Sequence, residues 1–114
     1  MRLFVIATLL LVSTAAQAAE KDCNAATNQN DMNICVEDGY TAADKALNDA
    51  WSHLSSADKD RLRDEERAWI KRRDSDCKAS SAENEGGSIY PTVYFGCMTE
   101  KTKARTKQLR ALHP

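Results

Sequence analysis

The chain has 114 residues, with 16 basic and 17 acidic side chains, a formal net charge of −1 and 42% hydrophobic residues. That length leaves room for one domain, and the near-neutral balance argues against the basic, aromatic-laced surface of a nucleic-acid-binding module. Four cysteines in so short a chain point to covalent staples, because a small domain buries little apolar surface.

The first segment carries the three parts of a secretory signal. Arg2 gives a positive start, Leu3 to Val12 form an apolar run, and Ala16-Gln17-Ala18 offers the small residues a signal peptidase reads. The run is shorter than the roughly 20 residues of a membrane-spanning helix. Residues 1–18 are therefore predicted to be a cleavable signal peptide, and 19–114 a mature helical domain soluble in the periplasm. Glu20-Lys21-Asp22 precede Cys23 where a lipid-attachment site would place small residues, so no membrane anchoring is expected. Cleavage removes one charged residue, Arg2, leaving 15 bases and 17 acids, a net of −2.

Cys23, Cys35, Cys77 and Cys97 are separated by 12, 42 and 20 residues. An even count in an exported chain implies two disulfides. Zinc would call for two closely spaced ligand pairs, which these gaps and the two histidines, His53 and His113, do not supply. No metal and no other cofactor is expected. The local pairing, Cys23–Cys35 with Cys77–Cys97, needs the shorter loops and is preferred. A helical hairpin turning near 55–56 would instead bring Cys35 level with Cys77, so Cys35–Cys77 with Cys23–Cys97 stays open.

Three stretches follow a helical period. Thr27 is the expected N-cap of the first, whose stripe runs Met32, Cys35, Val36, Gly39, Ala43, Ala46, Leu47, Ala50 and Leu54. Ser55-Ser56-Ala57-Asp58 reads as a break, with Ser56 or Asp58 capping the second helix. On that helix Leu62, Trp69, Ile70 and Cys77 share a stripe with two charged residues, Glu66 and Arg73. Trp69 is expected in the core; Trp51, one step off its stripe, either covers the hairpin edge or is a contact residue. The third helix begins near Pro91, which suits a first turn, and turns Tyr94, Cys97, Met98, Arg105, Leu109 and Leu112 inward. With no strand alternation, the fold class is all-α: a small antiparallel bundle of three to four helices stapled by two disulfides.

Residues 79–90 read as the one long irregular segment, around Glu83-Asn84-Glu85-Gly86-Gly87-Ser88. Its simplest role is to connect two helices. It is also the natural place for a binding surface, because loops on rigid scaffolds often carry recognition. The polar residues on the inner faces raise a second question. Asp44 and Asn48 flank the first stripe and, by hairpin height, face Leu62–Trp69, while Arg73 faces Glu37 and Asp38. Since buried polar groups must find partners, Asp44, Asn48, Glu66 and Arg73 are expected to form a structural network; a polar ligand pocket is the functional alternative.

Catalytic sets are not apparent. His113 is penultimate, His53 sits among small polar residues at a helix end, and the cysteines are spent in disulfides. The Asp64-Glu65-Glu66 run reads as solvated helix surface, and Gly86-Gly87 follows no strand and lacks the rest of a phosphate-binding pattern. The chain is not expected to be an enzyme. Residues 19–60 hold nine acids and three bases, whereas 98–114 hold five bases and one acid. Packing of an acidic helix beside a basic one explains this asymmetry, and an exposed acidic face would also suit a cationic partner.

Four blocks in order resemble one family. The first is Cys23, Thr27, Gln29, Met32, Asn33 and Cys35, and the second Ala43-Asp44 with Leu47-Asn48. The third is Arg67-Ala68-Trp69-Ile70, Arg73-Asp74 and Cys77. The fourth is Gly86-Gly87-Ser88-Ile89-Tyr90-Pro91, Cys97, Thr102, Arg105 and Leu109. This pattern is similar to the lysozyme-inhibitor LprI-like domain, with two departures: Glu66 stands where glutamine is commoner, and Arg72 where an aromatic is. The resemblance implies an exported, helical, disulfide-bearing protein whose partner is a protein, a lysozyme by the family's one named activity. In that reading Glu83, Glu85, Gly86, Gly87, Ser88 and Tyr90 are the candidate partner-binding residues. The Gly-Gly-Ser tip and Tyr90 would cover the acidic cleft, and the two glutamates would meet its basic rim. A general envelope interaction module without lysozyme activity is the alternative, and oligomeric state is left open.

Overall fold

The computed structural model describes residues 22–112; the predicted signal peptide lies outside the described residues. After a 3₁₀ turn at Cys23–Ala25 come three long helices: α1 (Gln29–Ser52), α2 (Ser56–Ser81) and α3 (Tyr90–Arg110). A second 3₁₀ turn, Ala82–Asn84, follows α2 directly, and no strand occurs among the described residues. The expected all-α fold with two disulfides is what the described residues adopt, with three long helices.

The first two helices are capped by residues next to those the sequence offered. Asn28, not Thr27, caps α1, its side-chain oxygen accepting from Asp31 N at 2.8 Å. Ser55, not Ser56 or Asp58, caps α2, with Oγ accepting from Asp58 N at 3.1 Å. In both cases the residue three positions on is an acid near the positive end of the helix dipole, which adds to the cap. Pro91 sits in the first turn of α3 as expected.

Contacts along the helices fix their directions. At one end Asn33 and Gln29 of α1 bond Thr92 of α3; at the other, Leu47, Ala50 and Leu54 pack with Leu109. Hence α3 runs parallel to α1. Descending α2, Leu62 joins that same apolar cluster, Glu66 meets Arg105, Arg73 meets Thr102, and Cys77 is bonded to Cys97. Hence α2 is antiparallel to α3. The topology is up-down-up, with α3 packed along both other helices while α1 and α2 scarcely approach one another.

The α1 seam toward α3 is Gln29, Asn33, Val36, Tyr40, Ala43, Leu47 and Ala50, continued by Leu54 just past the helix end, in alternating steps of four and three, as coiled packing requires. α1 carries five acids and one base, net −4, and α3 one acid and five bases, net +4. The two parallel dipoles repel side by side, and this opposition of charge offsets them.

The bridges are the preferred local ones, Cys23–Cys35 and Cys77–Cys97, and α3, standing between the arms of the α1–α2 hairpin, keeps Cys35 and Cys77 apart. The geometry corrects several other expectations. α2 continues to Ser81, so the irregular part of 79–90 shrinks to 85–89. Ile70 and Leu112, both expected inside, are 37% and 42% exposed. Trp69 is half-buried like Trp51, each lying against the apolar cluster instead of within it.

The Cys77–Cys97 bridge closes 20 residues between two packed helices. Loop closure of that length contributes about 3 kcal/mol through the unfolded chain. Urea unfolding of a Cys77→Ala, Cys97→Ala protein is expected to show a loss of about 3 kcal/mol; an unchanged midpoint would mean that α3 needs no staple.

Candidate functional site

The 85–89 loop is short and held at both ends. Gly86 has φ +82°, a left-handed conformation that side chains with a Cβ rarely adopt. Gly87 N donates to Asn84 O at 2.9 Å, and a Cβ on Gly87 would come within 3.2 Å of that same oxygen. Tyr90 N donates to Gly87 O at 3.2 Å, carrying the turn straight into α3. The bend thus calls for glycine at 86 through its backbone angle and favours it at 87 through the close approach of Asn84 O. Glu83, Glu85, Gly86, Gly87 and Ser88 are all exposed, and Tyr90 is half-buried, stacked on Tyr94 at 5.8 Å.

A clasp from α1 fixes the loop. Asn33 Nδ2 donates to Ser88 O at 2.7 Å, while Asn33 Oδ1 accepts from Thr92 Oγ1 at 2.6 Å and from Gln29 Nε2 at 2.8 Å. One amide therefore ties the first turns of α1 and α3 to the loop. Asn33 and Gln29 lie on the packing seam of α1, and polar residues at those two seam positions were the available signal for this role.

From Tyr90 an aromatic run continues inward. Tyr94 meets Phe95 edge-on at 5.2 Å, and Phe95 lies 5.6 Å from Tyr40 of α1. Burial pushes the Tyr40 and Tyr94 hydroxyls above the ordinary tyrosine range, opposed in both by the Arg73 guanidinium. Both hydroxyls therefore give up their protons above the ordinary tyrosine value of 10.0.

Below the aromatics, α2 and α3 meet through charge. Glu66 and Arg105 are 8% and 7% exposed, and both Nε and Nη2 of Arg105 lie 2.7 Å from Glu66 Oε2. Arg105 Nη1 donates to Glu65 Oε1 and Gln108 Oε1 at 3.3 Å. Arg73, also buried, donates to Asp74 Oδ1 at 2.9 Å and to the buried Thr102 Oγ1 at 3.3 Å. The guanidiniums of Arg73 and Arg105 stand 5.2 and 5.7 Å from the Trp69 ring, close enough for cation–π attraction.

The four polar residues singled out from sequence therefore separate. Glu66 and Arg73 are buried, but their partners across the layer are on α3, and Arg73 is bonded to Thr102 there and to Asp74 of its own helix instead of facing Glu37 and Asp38. Asp44 and Asn48 stay outside this layer, joined only by a long 3.4 Å bond from Asn48 Nδ2 to Asp44 Oδ2. They line a groove of about 330 Å³ between α1 and α2, with Leu47 and Trp51 on the same wall and Arg67 and Ile70 on the other. Arg105 and Thr102, the true partners across the layer, went unassigned because hairpin height placed α1 opposite α2.

Among the described residues no cluster of His, Cys, Asp or Glu could hold a metal ion, and no helix is long and apolar enough to cross a membrane. His53 Nδ1 is 2.8 Å from Asp49 O at the end of α1, remote from the charged layer.

The family model for the lysozyme inhibitor LprI matches residues 19–109. The chain belongs to that family. It is also 36% identical to an uncharacterised protein of Rhizobium meliloti (strain 1021), over 92% of this chain and 90% of the relative. No solved structure matches. The bridged cysteines, and Gln29, Asn33 and Ser88 of the clasp, are residues of the four blocks that carry the family resemblance; Thr92 is not.

The buried layer gives a direct test. Arg73→Ala removes the cation shared by Thr102, Asp74 and two aromatic rings, and is expected to cost about 2–3 kcal/mol. The exposed Arg110→Ala should change stability by less than about 0.5 kcal/mol. Equal unfolding midpoints for the two variants would remove any structural role for Arg73.

Proposed function

We propose that this LprI family member is exported to the periplasm and binds lysozyme, inhibiting it by occluding the active-site cleft rather than by chemistry of its own. The observation that carries this reading is the loop at 85–89, exposed at its tip and clasped at its base by Asn33. A recognition element already fixed in shape loses little entropy on binding, and a tight Gly-Gly-Ser turn is narrow enough to enter a cleft. Tyr90 at the edge of the turn is a residue type enriched among interface anchors, and its stacking on Tyr94 holds it ready.

Charge supports the same partner class. The exposed Asp31, Glu37 and Asp38 in the first half of α1, with the exposed Glu83 and Glu85, would steer a cationic protein toward this end of the bundle. Two disulfides and a small core fit an oxidising compartment.

Lysis of bacterial walls by lysozymes of several types, with the oxidised mature protein present, tests the proposal. Inhibition of at least one type is expected, and Ser88→Ala with Tyr90→Ala should weaken it by roughly tenfold or more. No inhibition of any type at large excess would overturn the function and leave the envelope-module reading. Inhibition unchanged by the double substitution would reject the loop as the contact.

A further inference from the structure

The groove between α1 and α2 is bordered on its α2 wall by Glu66 and Arg73 of the charged layer and is not used by the loop. We propose that it is a saccharide-binding site, and this does not depend on whether lysozyme is inhibited. A pyranose ring presents two surfaces: an apolar face of C–H bonds and a rim of hydroxyls that both donate and accept. The groove has the same division. Trp51 from α1 and Ile70 from α2 stand on its two walls, each partly open to solvent, above the buried Leu47. An indole wall suits stacking against a flat C–H face.

The polar groups beside these side chains are of mixed kind. Asp44 is an acceptor, Asn48 carries both donors and an acceptor, and Arg67 is a multiple donor. The single long bond between Asn48 and Asp44 leaves the second carboxylate oxygen, the amide oxygen and one amide N–H for a ligand. Arg63 and Arg73 are tied to Asp60 and Asp74, whereas Arg67 is exposed and has no ion-pair partner among the described residues.

Other occupants fit less well. A docking helix needs a stripe of apolar anchors at successive turns, and here one apolar cluster is flanked by charges. A simple anion would meet Asp44, and a simple cation would meet Arg67. The volume, about 330 Å³, is at the small end of ligand pockets and matches a short sugar.

Nuclear magnetic resonance titration of the oxidised mature protein tests the site, reading the Trp51 indole N–H and the Asn48 side-chain amide. The probes are chitotriose, cellotriose and trigalacturonate, which separate N-acetylated, neutral and acidic sugars. At least one is expected to shift both signals to saturation, with a dissociation constant of about 1 mM or tighter. Asp44→Asn and Trp51→Ala should each weaken that sugar by roughly tenfold. Ile34→Ala, at an exposed position nearer the start of α1, should leave binding unchanged. Asp44 makes no described hydrogen bond or ion pair other than the long bond to Asn48, so its variant keeps the test valid if Trp51→Ala unfolds. Absence of saturable shifts with all three sugars, or shifts equal in Asp44→Asn and the parent, would overturn the proposal.

Discussion

The ion pair between Glu66 and Arg105 is the constraint on which this arrangement rests. Each group is nearly out of water, and an unpaired buried charge costs several kcal/mol. The cost is offset only where the guanidinium reaches the carboxylate, so one register of α2 on α3 is acceptable and a shift of one turn strands both charges. Arg73 repeats the condition two turns along with Thr102, and the Cys77–Cys97 bridge fixes the same register covalently at the far end. The apolar cluster of Leu47, Ala50, Leu54, Leu62 and Leu109 closes the opposite end of the bundle. Apolar burial supplies driving force there without choosing a register so sharply, since hydrophobic contact is non-directional.

Once α3 is set, the two surfaces of interest follow from it. α1 packs beside α3 along a seam of alternating three- and four-residue steps, its net −4 against the +4 of α3. That packing brings Asn33 to Ser88 and Thr92, which shapes the 85–89 turn. It also keeps α1 away from α2, leaving the groove with Trp51 on one wall and Ile70 on the other. The departure at position 66, where the family more often has glutamine, places a full negative charge opposite Arg105 in this chain. Arg72, the other departure, is exposed and leaves the interior unaffected.

Much of the fold was legible in the residues. Periodicity gave three helices, Pro91 marked the start of the last, and spacing with export favoured the local disulfides. What periodicity does not encode is which helices touch. The hairpin picture set α1 against α2, and from that one error came the misplaced partners of Arg73, the open alternative of Cys35–Cys77 and the burial assigned to Ile70. Glu66 and Arg73 announced themselves as charged residues on an apolar stripe, yet pairing them required knowing that α3 lies between the hairpin's arms. The Gly86-Gly87 turn was visible from composition. Its clasp was not, because Asn33 acts across 55 residues of sequence and only a fold brings it to Ser88.

The most direct measurement is a double-mutant cycle in urea unfolding with Glu66→Ala, Arg105→Ala and both together. If the buried pair sets the register, each single change should cost about 3 kcal/mol or more, since each strands the other charge. The double variant should then lose at least about 2 kcal/mol less than the sum of the singles. Additive losses would contradict the account, because they would mean that the two charges do not hold α2 and α3 in place through one another.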